Sequence, residues 1–501
     1  MKRSALALAA GLVLLGGPAM AQTLRIGISE DVDLLDPTQG RTLGGRIVFA
    51  GLCDKLFDID DKLAIVPQLA LSHSVAADGK TVTIQLRRDV KFHDGTPLDA
   101  AAVKFNLERQ ANLNESARKA EIRAIAAVKA VDAQTVELTL SQPSAPLLSQ
   151  FTDRAGMMVS PKAASALSAA EFAQKPVCAG PYRLAERVPQ DRIVLQRFEE
   201  YWDRAKIQPE RLIYMPIPDA QVRATNLLAG QLDIVEQLST NDLDKVRKTQ
   251  GFQIASITGL NHFHLKFNVG NGERAKTPIG QNPRLREAFD LAIDRVALNQ
   301  VVFGGAFVPG NQPVSPSSPF YVKSLPLAGR DVAKAKAIVQ SMGGSAPSFT
   351  MLVTNAPVFL QVAETMQAMA KDAGIEVKIQ AAEAATAQAT STKGDFDAFL
   401  AFWSGRADPD GNIFPYLGCK GSQNDGRYCN AEVDKLLDAA AATNDQQGRY
   451  AAYEKAAQIY LAERPTLFLY HWNWFWGMTS KVSGFIPVPD GIIRVKGVRL
   501  G

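Results

Sequence analysis

Phe396-Asp397-Ala398-Phe399-Leu400-Ala401-Phe402-Trp403 runs directly into Ser404-Gly405-Arg406-Ala407-Asp408-Pro409-Asp410-Gly411-Asn412. The first stretch is short and almost continuously apolar, the pattern of a strand covered on both faces. The Gly, Pro and Asp that follow it read as loop. From Pro283 onward, long helical patterns alternate with strand patterns over 348–353 and 376–379, and helices over 430–442 and 448–463 precede a returning strand at Leu467-Phe468-Leu469-Tyr470. Such alternation is the mark of an α/β domain with parallel connections. Sheets of that kind bind ligands beyond the carboxyl ends of their strands. Trp403, Ser404, Gly405, Arg406 and Asp408 are therefore candidate ligand contacts, offering an aromatic face, open backbone, a cation and a carboxylate. The plain alternative is a solvated turn, but a Trp-Ser-Gly-Arg segment ending a buried strand is costly to leave exposed.

The amino-terminal half has a different texture. Leu24–Ile28 reads as a strand ended by the turn Asp36-Pro37, 46–57 has helical spacing, and 81–91 alternates as a half-exposed strand into His93-Asp94-Gly95-Thr96-Pro97. Asp99 stands where an N-cap belongs, ahead of a helical pattern through Leu107. A further helix over 220–229 ends at Gly230, a C′ glycine. The chain has 501 residues, too many for one core. Its 55 basic and 51 acidic side chains leave a net charge of +4, and no Lys/Arg stripe suggests a nucleic-acid partner.

Met1-Lys2-Arg3, the apolar run over 5–15 and Ala19-Met20-Ala21 have the three parts of a secretory signal peptide, with cleavage expected after Ala21. The run is too short and too broken for a membrane anchor. In an oxidising compartment the four cysteines are potential disulfides. Cys419 and Cys429 would staple a turn-rich loop, whereas Cys53 and Cys178 are either a second, long-range bridge or buried thiols. No G-x-S-x-G elbow, H-E-x-x-H, G-x-G-x-x-G or Walker loop occurs, so an exported hydrolase has no motif behind it and the chain is expected not to be an enzyme. His262 and His264 alternate on one strand face without a third ligand nearby, which is weak ground for a metal; packing or ligand contact is the stronger reading. No cofactor is implied.

Several stretches resemble one family along nearly the whole chain beyond the presumed signal. Asp78-Gly79-Lys80-Thr81 with the run from Leu86 through Phe92-His93-Asp94-Gly95-Thr96-Pro97-Leu98 is similar to the signature of the family 5 extracellular solute-binding proteins. Cys178-Ala179-Gly180-Pro181-Tyr182, Gly230-Gln231-Leu232-Asp233-Ile234 and the run from Arg284 to Arg295 resemble three more of their segments. The resemblance implies an α/β, bilobal periplasmic-binding-protein fold of the large, cluster C type, with a ligand cleft closed by a hinge. It also implies a periplasmic receptor, a monomer, that captures short peptides or peptide-like organic solutes and hands them to an ABC permease of the inner membrane. Nickel or metal-chelate, opine and glutathione-type receptors of the same family are the alternatives, and a chelate receptor would have to use His262, His264 and His471. The expected division is signal peptide 1–21, lobe I from 22–266 and 480–501 with a subdomain over 59–177, and lobe II from 267–479, crossing near Phe267-Asn268 and between Tyr470 and Thr479.

Dipeptide receptors of this family carry an aspartate just after the equivalent Trp-x-Gly, where it holds the ligand's α-ammonium group. Arg406 stands there instead, and a guanidinium prefers carboxylate or phosphate. Either Asp408 takes the amine or the ligand presents an anion. Resemblance also supports the Cys419–Cys429 bridge. It places Arg41, Thr42 and Leu43 of lobe I among the ligand contacts, with a solvated loop before a helix as the equal alternative, while His264 is a candidate contact from its own strand reading. In the aromatic run His471-Trp472-Asn473-Trp474-Phe475-Trp476, alternation puts the three tryptophans on one face, with one face in core and the other toward the cleft.

Overall fold

The computed structural model describes residues 22–316, 318–343 and 346–501, apart from the side chains at 384 and 385. The expected signal peptide lies outside the described residues. No described helix is long and apolar enough to cross a membrane.

Two large mixed sheets form the two lobes. In lobe I a seven-stranded sheet runs in the order Phe252–Thr258, Asn473–Thr479, Ile234–Val235, Thr23–Ile28, Arg211–Pro216, Arg192–Arg197, Tyr182–Val188. Its centre is the amino-terminal strand, whose Leu24, Ile26 and Ile28 are fully buried and which pairs in parallel with strands on both sides. In lobe II a six-stranded sheet has the order Val308–Pro309, Thr466–His471, His262–Phe267, Ala398–Trp403, Ser348–Thr354, Glu376–Ala382. The predicted α/β alternation is realised there: Ser348–Thr354 pairs in parallel with both Glu376–Ala382 and Ala398–Trp403. Each sheet has its own hydrophobic core. A four-stranded antiparallel sheet, Ala70–Val75, Thr81–Leu86, Thr135–Leu140, Ile125–Ala130, builds a subdomain on lobe I with the helix Ala100–Asn112, which Asp99 caps as predicted.

The chain changes sheets at two places, neither quite where the sequence suggests. Strand Phe252–Thr258 belongs to lobe I and its successor His262–Phe267 to lobe II, so the first crossing is at 259–261. Strand Thr466–His471 belongs to lobe II and Asn473–Thr479 to lobe I, so the second crossing is Trp472. The expected boundaries at 266/267 and 479/480 thus put His262 to Lys266 and Asn473 to Thr479 on the wrong sheets. The apolar pattern of a strand carries no signal of which sheet its backbone pairs with, and that concealed both switches. The crossings bind one another: Gly259 N donates to Trp472 O at 2.8 Å, and Trp472 N donates to Asn261 Oδ1 at 2.6 Å. Gly259 is required here, because a Cβ would stand 2.0 Å from Asn261 Nδ2.

Both disulfides form. Cys419–Cys429 closes the loop after the helix Asp410–Leu417, and Cys53–Cys178 ties the end of the helix Leu43–Leu52 to the segment ahead of Tyr182–Val188. The question left open for Cys53 and Cys178 is settled as a bridge.

Candidate functional site

Between the lobes, beside the crossings, lies a cavity of about 480 Å³. That is within the range of small-molecule sites, roughly 300–1,000 Å³. Lobe I contributes Ser29, Arg223 and Gln237; lobe II contributes Phe303, Phe307 and Phe359, and Trp472 of the second crossing closes the wall. Trp472 stacks on Phe402 at 4.4 Å and on Phe307 at 5.6 Å, so the lobe II wall is a continuous aromatic surface. Arg223 is no free cation, because its guanidinium donates to the carbonyls of Ile217, Pro218, Glu236 and Gln237.

Two residues beyond Phe402 the loop Ser404–Arg406 reaches the polar end of the cleft. Gly405 takes φ +83°, and a Cβ there would stand 2.4 Å from the Leu260 carbonyl group, so only glycine lets the loop lie against the first crossing. Trp403 Nε1 donates to Asn412 Oδ1 at 3.0 Å, and the same oxygen accepts from Arg406 N at 2.7 Å, which fixes the loop. The Arg406 guanidinium packs over the Trp403 ring at 4.4 Å and faces Asp153 of lobe I, with Nε 3.4 Å from Oδ2. From lobe I, Arg46 meets Asp153 with two nitrogens, at 3.2 and 3.1 Å, and donates a longer bond to Ser404 Oγ at 3.4 Å.

The surrounding field is strongly positive. Arg118 and Arg154 both donate to Gly40 O. Burial opposes ionisation of Asp153, but Arg46, then Arg154, Arg406 and Arg118, hold its carboxyl well below the usual range. Burial, reinforced by Arg46, pushes Arg406 down to about 10 against the pull of Asp153.

The predicted residues thus divide. Ser404, Gly405 and Arg406 meet lobe I at the cleft, and Trp403 supports Arg406 from beneath. Asp408 is tied within lobe II through one oxygen, Oδ1, which accepts from Arg449 Nη2 at 2.7 Å and from Asp410 N at 2.9 Å. Thr42 is the N-cap of the helix Leu43–Leu52, accepting from Gly45 N, and Leu43 packs against the lobe I core. Arg41 is exposed, with its backbone N donating to Asp33. His264 is fully buried inside lobe II, edge-on to Tyr416, with Nδ1 3.1 Å from His262 Nδ1. Its face of the strand is covered by the helix carrying Tyr416, so the strand's alternation points it into core.

His262 and His471 are fully buried as well. Among the described residues no group of three or more His, Cys, Asp or Glu side chains could hold a metal ion. The aromatic run is two strands rather than one: Trp474 and Trp476 enter the lobe I core, and Trp472, at the break, lines the cavity together with one edge of Trp474. Asp153, Arg118, Arg154, Phe307 and Phe359 escaped the sequence reading. They lie on segments with no motif, and only the fold brings them to the cleft.

Comparison with known proteins gives a consistent result. Residues 64–424 match the family described as bacterial extracellular solute-binding proteins, family 5. The glutathione-binding protein GsiB of Salmonella paratyphi A is 28% identical over 487 residues, covering 94% of each chain. Among solved structures, the periplasmic binding protein DppA of Helicobacter pylori in complex with the peptide STSA superposes with TM-score 0.85 at 24% identity, over 95% of this chain and 98% of that one. AgaA of A. tumefacien R10 in complex with agropinic acid superposes with TM-score 0.83 at 25% identity, over 96% of this chain and all of the other.

Proposed function

We propose that this chain, which belongs to the bacterial extracellular solute-binding proteins of family 5, captures a short peptide or peptide-like organic acid between its lobes and delivers it to an ABC permease of the inner membrane. The family consists of solute-binding receptors, and this chain has the matching bilobal architecture. The single observation that carries the reading is the aromatic cavity of about 480 Å³ whose walls come from both lobes and from the crossing between them. A ligand there touches both bodies at once, so it favours the closed arrangement by its differential contacts. A glutathione-binding relative and one bound to agropinic acid support an acidic peptide-like ligand. Export with cleavage after Ala21, and action as a monomer, complete the proposal.

A thermal-shift screen of di- and tripeptides, amino-acid derivatives, opines, glutathione and nickel chelates tests it. A ligand at 100 times its Kd stabilises the fold by about 2.7 kcal/mol. Arg406→Ala is expected to abolish binding of an acidic hit. Unchanged affinity would remove Arg406 from the ligand's surroundings, and turnover of any compound would overturn the receptor reading.

A further inference from the structure

On the lobe I wall of the cavity, Ser29 follows directly on the central strand Thr23–Ile28. Its backbone N donates to Glu236 Oε1 at 2.5 Å, and its Oγ donates to the same oxygen at 2.6 Å. A serine has no third polar hydrogen to offer. Two acceptor lone pairs remain on Oγ, so toward the cavity this residue has a single polarity.

Glu236 is placed to hold that arrangement. It is 1% exposed and stands where the strand Ile234–Val235 ends, with its N donating to Gly27 O at 3.1 Å. Arg223, on the helix Ala220–Leu228, donates from Nε to Glu236 O at 3.2 Å and from Nη2 to Gln237 O at 3.0 Å. The backbone carrying the carboxylate is thus pinned to the central strand on one side and to the helix on the other. Burial raises the Glu236 carboxyl, while the two bonds from Ser29, and then Arg223, hold it down. Its second oxygen, Oε2, has no hydrogen-bond partner. Any proton on this group therefore sits on Oε2, and Oε1 accepts from Ser29 in either state.

The other polar groups on the cavity discriminate less. Asp219 is exposed and spends Oδ1 on the N–H groups of Gln221 and Val222. Asn473 Nδ2 donates to Ala306 O at 2.7 Å, and Trp474 Nε1 donates to Pro489 O at 3.0 Å. Exposed amide side chains such as Gln221 and Gln361 turn to give or to take a hydrogen bond. Across the cavity, Phe303, Phe307 and Phe359 carry no hydrogen-bonding side-chain group. A solute lying on that aromatic wall meets in Ser29 an acceptor whose direction is fixed before it arrives.

We propose that Ser29 is a solute contact of fixed polarity: its Oγ accepts a hydrogen bond from an N–H or O–H of a solute whose apolar part lies on the aromatic wall, and Glu236 is the positioning residue that turns the hydroxyl this way. The inference rests on the receptor reading above and deepens it. The solute class is a hydrogen-bond donor beside an apolar group, as in a secondary amide. An ether, ester or carboxylate oxygen at that point meets a second acceptor and is rejected, because two desolvated acceptors face each other unpaired.

The test is a matched series measured by calorimetry on the parent, Ser29→Ala, Glu236→Gln and Glu236→Leu. Glycyl-phenylalanine, with every solute that shifts the melting temperature in the screen, is compared with forms in which one N–H or O–H at a time is methylated and with the ester in place of each amide. Ser29→Ala is expected to weaken the unmodified solutes about tenfold. At one position of each solute, loss of the hydrogen should weaken binding to the parent by at least about tenfold, yet change binding to Ser29→Ala by less than about twofold. Glu236→Gln keeps an oxygen that accepts both bonds, so its affinities should stay within about threefold of the parent. Glu236→Leu frees the hydroxyl to donate, so the ester should bind that variant at least as tightly as the amide. Unchanged affinity in Ser29→Ala, or no modified position whose effect depends on Ser29, overturns the proposal and leaves the receptor intact. Binding by no small solute at millimolar concentration overturns both. A preference for the amide retained in Glu236→Leu, in protein whose circular dichroism and melting match the parent, removes Glu236 from the positioning role. Should that variant fold poorly, Ser29→Ala and the methylated series decide without it.

Discussion

At the scale of single residues, the structure turns on how a few side chains are satisfied. Arg406 was legible as a cation at a binding loop, but its partner Asp153 was not, because the two are 253 positions apart and lie on different lobes. Asp408 was legible only as an acid; Arg449, which engages it, belongs to a helix whose sequence gives no hint of it. Gly405 gives the sharpest mutational prediction. With φ at +83° and the Leu260 carbonyl in the way, Gly405→Ala should cost at least about 2 kcal/mol of stability and displace Arg406. Denaturant unfolding and ligand affinity would both report it, and an alanine variant of full stability would contradict the close approach.

Asp410 adds a pH-dependent case. Burial first, then Asp408, raises its carboxyl to about 7, and its Oδ1 has no hydrogen-bond partner. Because the folded-state value lies above the unfolded one, the native state holds the proton between pH 4 and 7, and stability is lost as pH rises through 7. Asp410→Asn should therefore be more stable than the parent by about 2–4 kcal/mol at pH 8 and equal to it near pH 4. Equal stabilities at pH 8 would show that the carboxyl is not strained.

At the scale of elements, the α/β pattern of lobe II was readable, since buried parallel strands and amphipathic helices differ in length and period. The helix expected over 46–57 begins at Leu43 and ends at Leu52 instead. Thr42 caps it, and Cys53 leaves the helical conformation to bond Cys178. Apolar spacing alone ran past that stop, because the constraint is a covalent link 125 positions away. In the chain-entropy view a link across 125 positions restrains the unfolded state by about 5 kcal/mol, against about 3 for the 10-position Cys419–Cys429 loop. Cys53→Ala with Cys178→Ala should consequently lower the denaturation midpoint more than Cys419→Ala with Cys429→Ala. The reverse order would mean that the short bridge holds native structure which entropy does not describe.

At the scale of the molecule, the two lobes touch at both ends of the cleft. Besides the crossings, the far side is joined by Arg406–Asp153, by Arg46 to Ser404, by Arg123 over the Phe414 ring and by Ala145 N donating to Ala441 O at 2.7 Å. None of these pairs is visible in sequence, since each needs both the fold and the closed arrangement of the lobes. Among them only Asp153 brings negative charge between Arg46 on one lobe and Arg406 on the other. Without it the two guanidinium groups repel across the cleft, and the open arrangement gains by that repulsion. Asp153→Asn should thus expand the unliganded protein, seen as a larger radius of gyration in small-angle scattering and a stronger dependence of that radius on salt. A bound acidic solute replaces the missing charge, so the variant should return to the compact radius when one is added, with Trp472 fluorescence shifting in step because that ring lines the cavity. An unliganded variant as compact as the parent at low salt would mean that the apolar crossing contacts hold the lobes together, and that Asp153 serves only to neutralise Arg46 within lobe I.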